Sequence, residues 1–263
     1  MSGYVGSPKQ IALQKRAEDM YGWTMSTPGA CNNARMLGSD DPDRLGFPTI
    51  RQYLQEDGIF GFRLLPKSDL GRLKEEMARS DARVDTWDVF CGDAEAVANT
   101  TAGILSSGLP SGFHEMPPLD GVEGARTRLF QEFIASAGIA PFSAGFLNGR
   151  FGKVVNVGLV DTDGALAACA HAYLPHNAHS PYHAWAWGGL VAVAPDHRGK
   201  GLGSIVNALM ARAALDTLSA THVYELVSAS NTASRKMVEN SGLRLSSDLF
   251  SGLATCSEDR FTR

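Results

Sequence analysis

The chain has 263 residues, 44% hydrophobic and 20% charged, with a formal net charge of −4. This composition suits a soluble globular protein with a real core and argues against a nucleic-acid binder or a protein drawn to anionic membranes. No apolar run approaches the length that spans a bilayer. The four cysteines, Cys31, Cys91, Cys169 and Cys256, form no CxxC pair.

Such a pattern fits free thiols in a reducing cytosol. The opening stretch, MSGYVGSPKQIALQKRAEDMYGW, has no basic segment followed by an apolar one, so a cytoplasmic location is expected. SPKQIALQKRAEDMYGW reads as a helix, and TPGACNNARMLGSDDPDRLGFP, dense in Gly, Pro, Asn and Asp, as loop. PTIRQYLQEDG is a helix stopped by Gly58. GFRLL is a strand, and KSDLGRLKEEMARSD a helix with Leu70, Leu73 and Met77 along one stripe. RVDTWDVF alternates like a strand, DAEAVANTTAGIL is a helix started by Asp93, LPSGFHEMPPLDG is a linker, and VEGARTRLFQEFIASAG is a helix ended by Gly138.

The pattern changes from Lys153. KVVNVGLV and ALAACAHAYL flank a DTDG turn, the signature of a β-hairpin. A histidine-rich connector leads into the strand HAWAWGGLVAV, where alternation sets His183, Trp185 and Trp187 on one face. Next come a helix with an apolar face (GLGSIVNALMARAALDTL), a strand (HVYELVSAS), a helix capped by Asn231 and stopped by Gly242, and a last strand region (LRLSSDLFSGLA). The fold class is therefore α/β with a mixed (α+β) sheet built on local hairpins, not a doubly wound parallel one.

LVAVAPDHRGKGLGS carries the chemistry. A strand ends at Pro195, a glycine-rich turn comes next, and a helix starts at once. Gly199, Gly201 and Gly203 allow close backbone approach, the helix start adds unpaired N–H groups, and Arg198 and Lys200 add positive charge, which together suit a pyrophosphate. The segment is not a GxxxxGK[ST] phosphate loop, and GLGSIV puts Val206 where a dinucleotide fingerprint needs its third glycine.

VAVAPDHRGKGLG resembles the acetyl-CoA signature [RQ]xxGx[GA] of the GCN5-related N-acetyltransferases, with Arg198, Gly201 and Gly203 in place behind Val193 and Pro195. The family's second motif, an Asn opening a helix that closes on Gly and an apolar residue, is matched by Asn231, Ser234, Gly242 and Leu243. The resemblance covers roughly residues 154–243. It implies an acyl-CoA-binding fold in which the strand backbone around Val191, Ala192 and Val193 pairs with the pantetheine arm. In the same reading the amides of Gly199, Lys200, Gly201, Leu202, Gly203 and Ser204 hold the pyrophosphate beside Arg198, while Asn231 and Ser234 border the arm. It further implies that the strands LVAV and HVYELVS splay apart to admit the cofactor. The activity implied is transfer of an acetyl group from acetyl-CoA to a primary amine, on a small molecule or a peptide, by direct attack in a ternary complex. Residues 83–263 would form the acetyltransferase domain, with RVDTWDVF as its first strand. Residues 1–82 would be an N-terminal extension or reduced second lobe that closes over the acceptor or carries a homodimer contact.

The family's usual catalytic side chains are absent from their places: Trp187 stands where a Glu is common, and Val238 where a Tyr is common. His183 and Tyr182, just upstream, and Tyr224, on the neighbouring strand beside Glu225, are the candidate replacements, with proximity supplying much of the rate. A non-catalytic acyl-CoA sensor or interaction protein with a vestigial site is the alternative. His171, His176, His179 and His183 have imidazoles suited to zinc, but no Cys or acidic residue lies among them, so no metal is expected.

Overall fold

The computed structural model describes residues 3–257. In chain order its elements are α1 (Pro8–Asp19), α2 (Tyr21–Ser26), β1 (Ala30–Asn32), β2 (Leu37–Ser39), α3 (Pro42–Leu45), α4 (Phe47–Asp57), β3 (Ile59–Pro66), α5 (Leu70–Ala78), β4 (Arg83–Asp93), α6 (Ala94–Ser106), β5 (His114–Glu115), α7 (Ala125–Ser136), α8 (Ala144–Leu147), β6 (Val154–Val160), β7 (Leu166–Tyr173), β8 (Trp185–Val193), α9 (Leu202–Leu218), β9 (His222–Val227), α10 (Thr232–Glu239) and β10 (Arg244–Thr255). Side chains at the helix starts explain several boundaries. Ser7 and Gln10 form a reciprocal capping box on α1, and Asp93 and Asn231 accept from the backbone N–H three residues on to start α6 and α10.

All ten strands join one mixed sheet in the order β1-β2-β3-β10-β4-β9-β8-β7-β6-β5. Two covering layers explain why β7 reads as an unbroken buried run. On one face α9 lays Val206, Met210 and Ala214 over Ala170, Ala172 and Val223. On the other, Phe130 and Ile134 of α7, with Phe142 and Phe146, cover Tyr173, Trp187 and Tyr224. A third cluster packs Phe60 and Phe62 of β3 against Ile50, Leu54, Leu73 and Met77 of α4 and α5.

Two local expectations differ from the structure. The stretch read as loop after α2 contains β1, β2 and α3, and the linker before α7 contributes β5 at the sheet edge. RVDTWDVF is a central strand, held between β10 and β9 in antiparallel register on both sides. The point between Ala82 and Arg83 therefore lies within a continuous sheet, since β3 pairs with β10 from Ile59↔Thr255 to Pro66↔Leu249.

The histidine-rich connector ties the N-terminal segment down. Asn177 Nδ2 donates to the carbonyls of Thr24, Thr27 and Ala30, the Asn32 N–H donates to Pro175 O at 2.7 Å, and the Tyr173 hydroxyl donates to Asn32 O at 2.8 Å. His171, fully inside β7, pairs its Nδ1 with Asn156 Oδ1 at 2.8 Å, and burial pushes its pKa down to about 3. The unfolded chain takes up that proton near the ordinary histidine value, whereas the folded chain does so only near 3, so stability falls as pH drops through about 6.5. Acidifying from about pH 6.5 to 5 should cost roughly 2 kcal/mol through this residue. Urea unfolding at the two pH values checks this, and His171→Gln should flatten the slope by about that amount.

Candidate active site

β8 and β9 run parallel, paired only at Trp185↔His222, Ala186↔Val223 and Trp187↔Tyr224. Beyond Trp187 the strands part. β8 continues to pair with β7 on its other side, but with a bulge: Cys169 faces Ala192 and His171 faces Gly189, so Leu190 and Val191 oppose one residue. Leu190 takes φ +52°, a conformation costly for a branched side chain. Two glycines make the local path feasible. A Cβ on Gly189 would lie 2.4 Å from the Trp187 ring, and one on Gly188 would lie 2.6 Å from Met210 Cε and 3.2 Å from Glu225 Cγ.

The parted strands open into a cavity of about 210 Å³. Gly188–Val191 and Glu225–Val227 form its walls, with Ser234 and Met237 of α10 at one side. The N-terminal segment supplies Asn33, Arg35, Met36, Phe62 and Arg63 at the other, beside Trp87 and Trp187. Glu225 is the acidic residue in this lining. It is 4% exposed, its Oε1 accepts from Asn207 Nδ2 at 2.8 Å, and burial raises its pKa to about 7 despite that hydrogen bond. A carboxylate balanced at neutral pH in a cleft can take or give a proton.

From β8 the chain passes through a 3-10 turn (Pro195–His197) into α9. Gly199 and Gly201 have φ +77° and +79° with open space where a Cβ would project, and Gly201 is the N-cap of α9. The helical ladder begins with the Ile205 N–H on Gly201 O, so the amides just before it belong to the unpaired helix start. Gly203 lies between Val193 and Met237, each 3.5 Å from where its Cβ would be. The cradle thereby adjoins Met237, which also lines the cleft. An extended chain ending in a pyrophosphate fits these residues: open strand edge, α10 wall, glycine turn and helix N-terminus. Arg198 and Lys200 are exposed there. Of the other expected contacts, Val191 and Ser234 line the cleft, while the Asn231 side chain is the cap of α10, accepting from the Ser234 N–H at 3.0 Å. Ala192 is buried and Val193 half-buried at the end of β8.

None of the three expected catalytic side chains lines the cleft. Tyr182 and His183 lie in a turn before β8, which starts at Trp185, so strand alternation does not reach them. His183 Nδ1 is 3.1 Å from Ser180 O, and Tyr182 packs edge-on to Trp185. Tyr224 is fully buried on the opposite face from Glu225, with its hydroxyl 3.0 Å from His176 Nε2. His176 Nδ1 is 2.6 Å from Asp40 Oδ2. A carboxylate accepts only, so Nδ1 donates and Nε2 accepts from the tyrosine; burial holds His176 below its usual pKa against the pull of Asp40. His171, His176 and His183 line one pocket with Tyr21, Phe142 and Tyr173, yet among the described residues no three His, Cys, Asp or Glu gather as for a metal. Glu225 comes directly after Tyr224 in the sequence; its distinction is its seat on the parted edge of β9.

Residues 129–243 match the family model described as Acetyltransferase (GNAT) family. No curated protein matches the chain in sequence. Among solved structures it is similar to a GCN5-related N-acetyltransferase from Kribbella flavida (15% identity, 88% of this chain and 79% of that one, TM-score 0.52). It is also similar to a Drosophila protein (14%, 94% and 89%, TM-score 0.55) and to a tandem GNAT protein from the clavulanic acid biosynthesis pathway (12%, 85% and 76%, TM-score 0.50). These likenesses are of fold.

The cradle and the buried tyrosine each give an expected outcome. Gly203→Asp should abolish acetyl-CoA binding in calorimetry while leaving the fold intact, because a carboxylate enters the anion cradle where a side chain meets only ordinary contacts; Gly201→Asp adds backbone strain to the same loss. Tyr224→Phe should lower stability by about 1–3 kcal/mol by leaving His176 Nε2 without a donor, read as a fall in Tm with acetyl-CoA affinity unchanged.

Proposed function

We propose that the protein is an N-acetyltransferase that moves an acetyl group from acetyl-CoA to a primary amine by direct attack in a ternary complex, with Glu225 as the general base. The observation that carries this reading is a buried carboxylate, with its pKa raised to about 7, on the wall of a cleft between parted strands. The open edge of β8 would hold the pantetheine arm, and the amides of Gly199–Ser204 with Arg198 and Lys200 would hold the pyrophosphate. Bound there, acetyl-CoA supplies an activated thioester. Glu225 takes a proton from the attacking nitrogen as the N–C bond forms and the C–S bond breaks, and CoA leaves as its thiolate, which takes a proton from water on release. Backbone N–H groups freed by the bulge at Leu190 can donate to the carbonyl oxygen as it gains charge. Trp187, at the place where a base is usually found, forms the wall next to Gly188 instead. Residues 1–82 act in this reading as a reduced second lobe that covers the acceptor side.

Glu225 is inactive as a base while protonated, so kcat/KM should fall as pH drops through about 7. Glu225→Gln should lower kcat/KM at pH 8 by roughly 100-fold and remove that limb of the profile, with acetyl-CoA affinity preserved. Tight acetyl-CoA binding with no CoA release across an amine panel would overturn the enzyme reading in favour of an acyl-CoA sensor.

A further inference from the structure

Three buried donors around the cleft, on Asn33, Arg63 and Trp187, have no acceptor. Arg63 on β3 is 7% exposed. Its Nε donates to Asn33 Oδ1 at 2.5 Å, its guanidinium lies 5.1 Å from the centre of the Trp187 ring, and its Nη1 is buried with no acceptor. Trp187 Nε1 and Asn33 Nδ2 are also buried donors without an acceptor. Eight side-chain nitrogens and oxygens among the described residues are in that state, and three of them are these neighbours around one cavity. Asp40, in the same neighbourhood, is engaged by His176 at 2.6 Å.

Arg35 adds a second buried cation to the same lining; its guanidinium rests on the Phe142 ring, and burial together with the nearby Arg63 charge brings its pKa down to about 10. Two guanidinium groups thus face a cavity whose acid, Glu225, sits on the opposite wall. Arg35 already donates to the Ala140 carbonyl, whereas leaving the buried Nη1 of Arg63 unpaired is costly unless an acceptor arrives. Trp187 N–H and the Asn33 amide add neutral donors to the same place, the set a planar carboxylate accepts from.

We infer that the acceptor amine carries a carboxylate, held by Arg63 with Trp187 Nε1 and Asn33 Nδ2 while the amine faces Glu225. This rests on the acetyltransferase reading above and narrows its substrate to amino-acid-like molecules. The bulge in β3 serves the purpose. Phe250 pairs with Leu65 and Gly252 with Phe62, so Arg63 and Leu64 together oppose Ser251, and Leu64 takes φ +54°. Such a bulge re-aims the side chain beside it.

The test is CoA release from acetyl-CoA over a panel of free amino acids, each paired with its decarboxylated amine and its carboxamide. The expected result is a kcat/KM preference of roughly 100-fold for at least one amino acid over both partners, reduced to within about threefold in Arg63→Met. Trp187→Phe, which keeps an aromatic ring and removes the pyrrole ring with its N–H, should cut the preference by roughly tenfold and serves if Arg63→Met does not fold. Equal turnover of decarboxylated amines by the wild type, or a variant that slows all three acceptor classes by one factor, would overturn the inference. Should no amine be turned over, the catalytic reading fails by itself. Calorimetry with the same amino acids then decides: binding weakened by Trp187→Phe supports the carboxylate site, and no binding overturns it.

Discussion

A pair of parallel strands that gives up its hydrogen bonds must be held open by something else. After Trp187↔Tyr224 the facing edges of β8 and β9 expose backbone groups that an ordinary sheet would satisfy. Neither strand can close the gap. β8 is fixed by β7 on its outer side and displaced by the bulge at Leu190, and β9 is fixed by β4. Gly188 and Gly189 leave room for Met210, Glu225 and the Trp187 ring to meet across the parting point. The cleft, the buried acid and the approach to the glycine turn all depend on this one interruption.

Local chemistry makes part of this arrangement legible in the amino-acid sequence. The hairpin of β6 and β7, the Pro195-to-Leu202 turn and the capped α10 each depend on residues within a few positions of one another, so spacing reveals them. The glycine turn before α9 is of this kind. The wall that carries Glu225 is not. Tyr182 and His183 look suitable only when strand alternation is extended back into a turn, where side chains obey no period of two. Tyr224 and Glu225 are adjacent, and only the packing decides that the tyrosine meets His176 while the glutamate meets the cleft. The Asp40–His176 contact spans 136 residues, and the Asn33–Arg63 pair joins a loop to a strand, so neither leaves a mark in sequence. The short strands β1 and β2 are hidden in a Gly- and Asn-rich stretch whose composition correctly signals turns but says nothing of the segments those turns bring together.

The two halves of the sheet share a design. β3 and β8 each contain a leucine at positive φ beside a bulge, Leu64 and Leu190, and each leads through a proline and a 3-10 turn into a helix, α5 or α9. They differ at the helix start. α9 is preceded by glycines that open its N-terminus, whereas Leu70 starts α5 directly after Asp69. An acidic residue at that helix start is unsuited to a pyrophosphate. In our reading the first copy of the arrangement presents Arg63 to the cleft and the second presents a phosphate cradle, so one backbone device meets opposite ends of a reaction.

The position of β10 bears on how the chain reaches this state. β3 bonds to β2 through only two residue pairs, and its other edge is closed by β10 alone. The Leu64 N–H finds its partner in Ser251, 187 residues later. During synthesis β3 therefore emerges with an unpaired, apolar edge and waits for almost the whole described chain before it can be sealed. Contacts of such separation are slow to form, and exposed edges invite pairing with other chains. The N-terminal strands are thus sealed into the sheet late, by the last strand of the described chain.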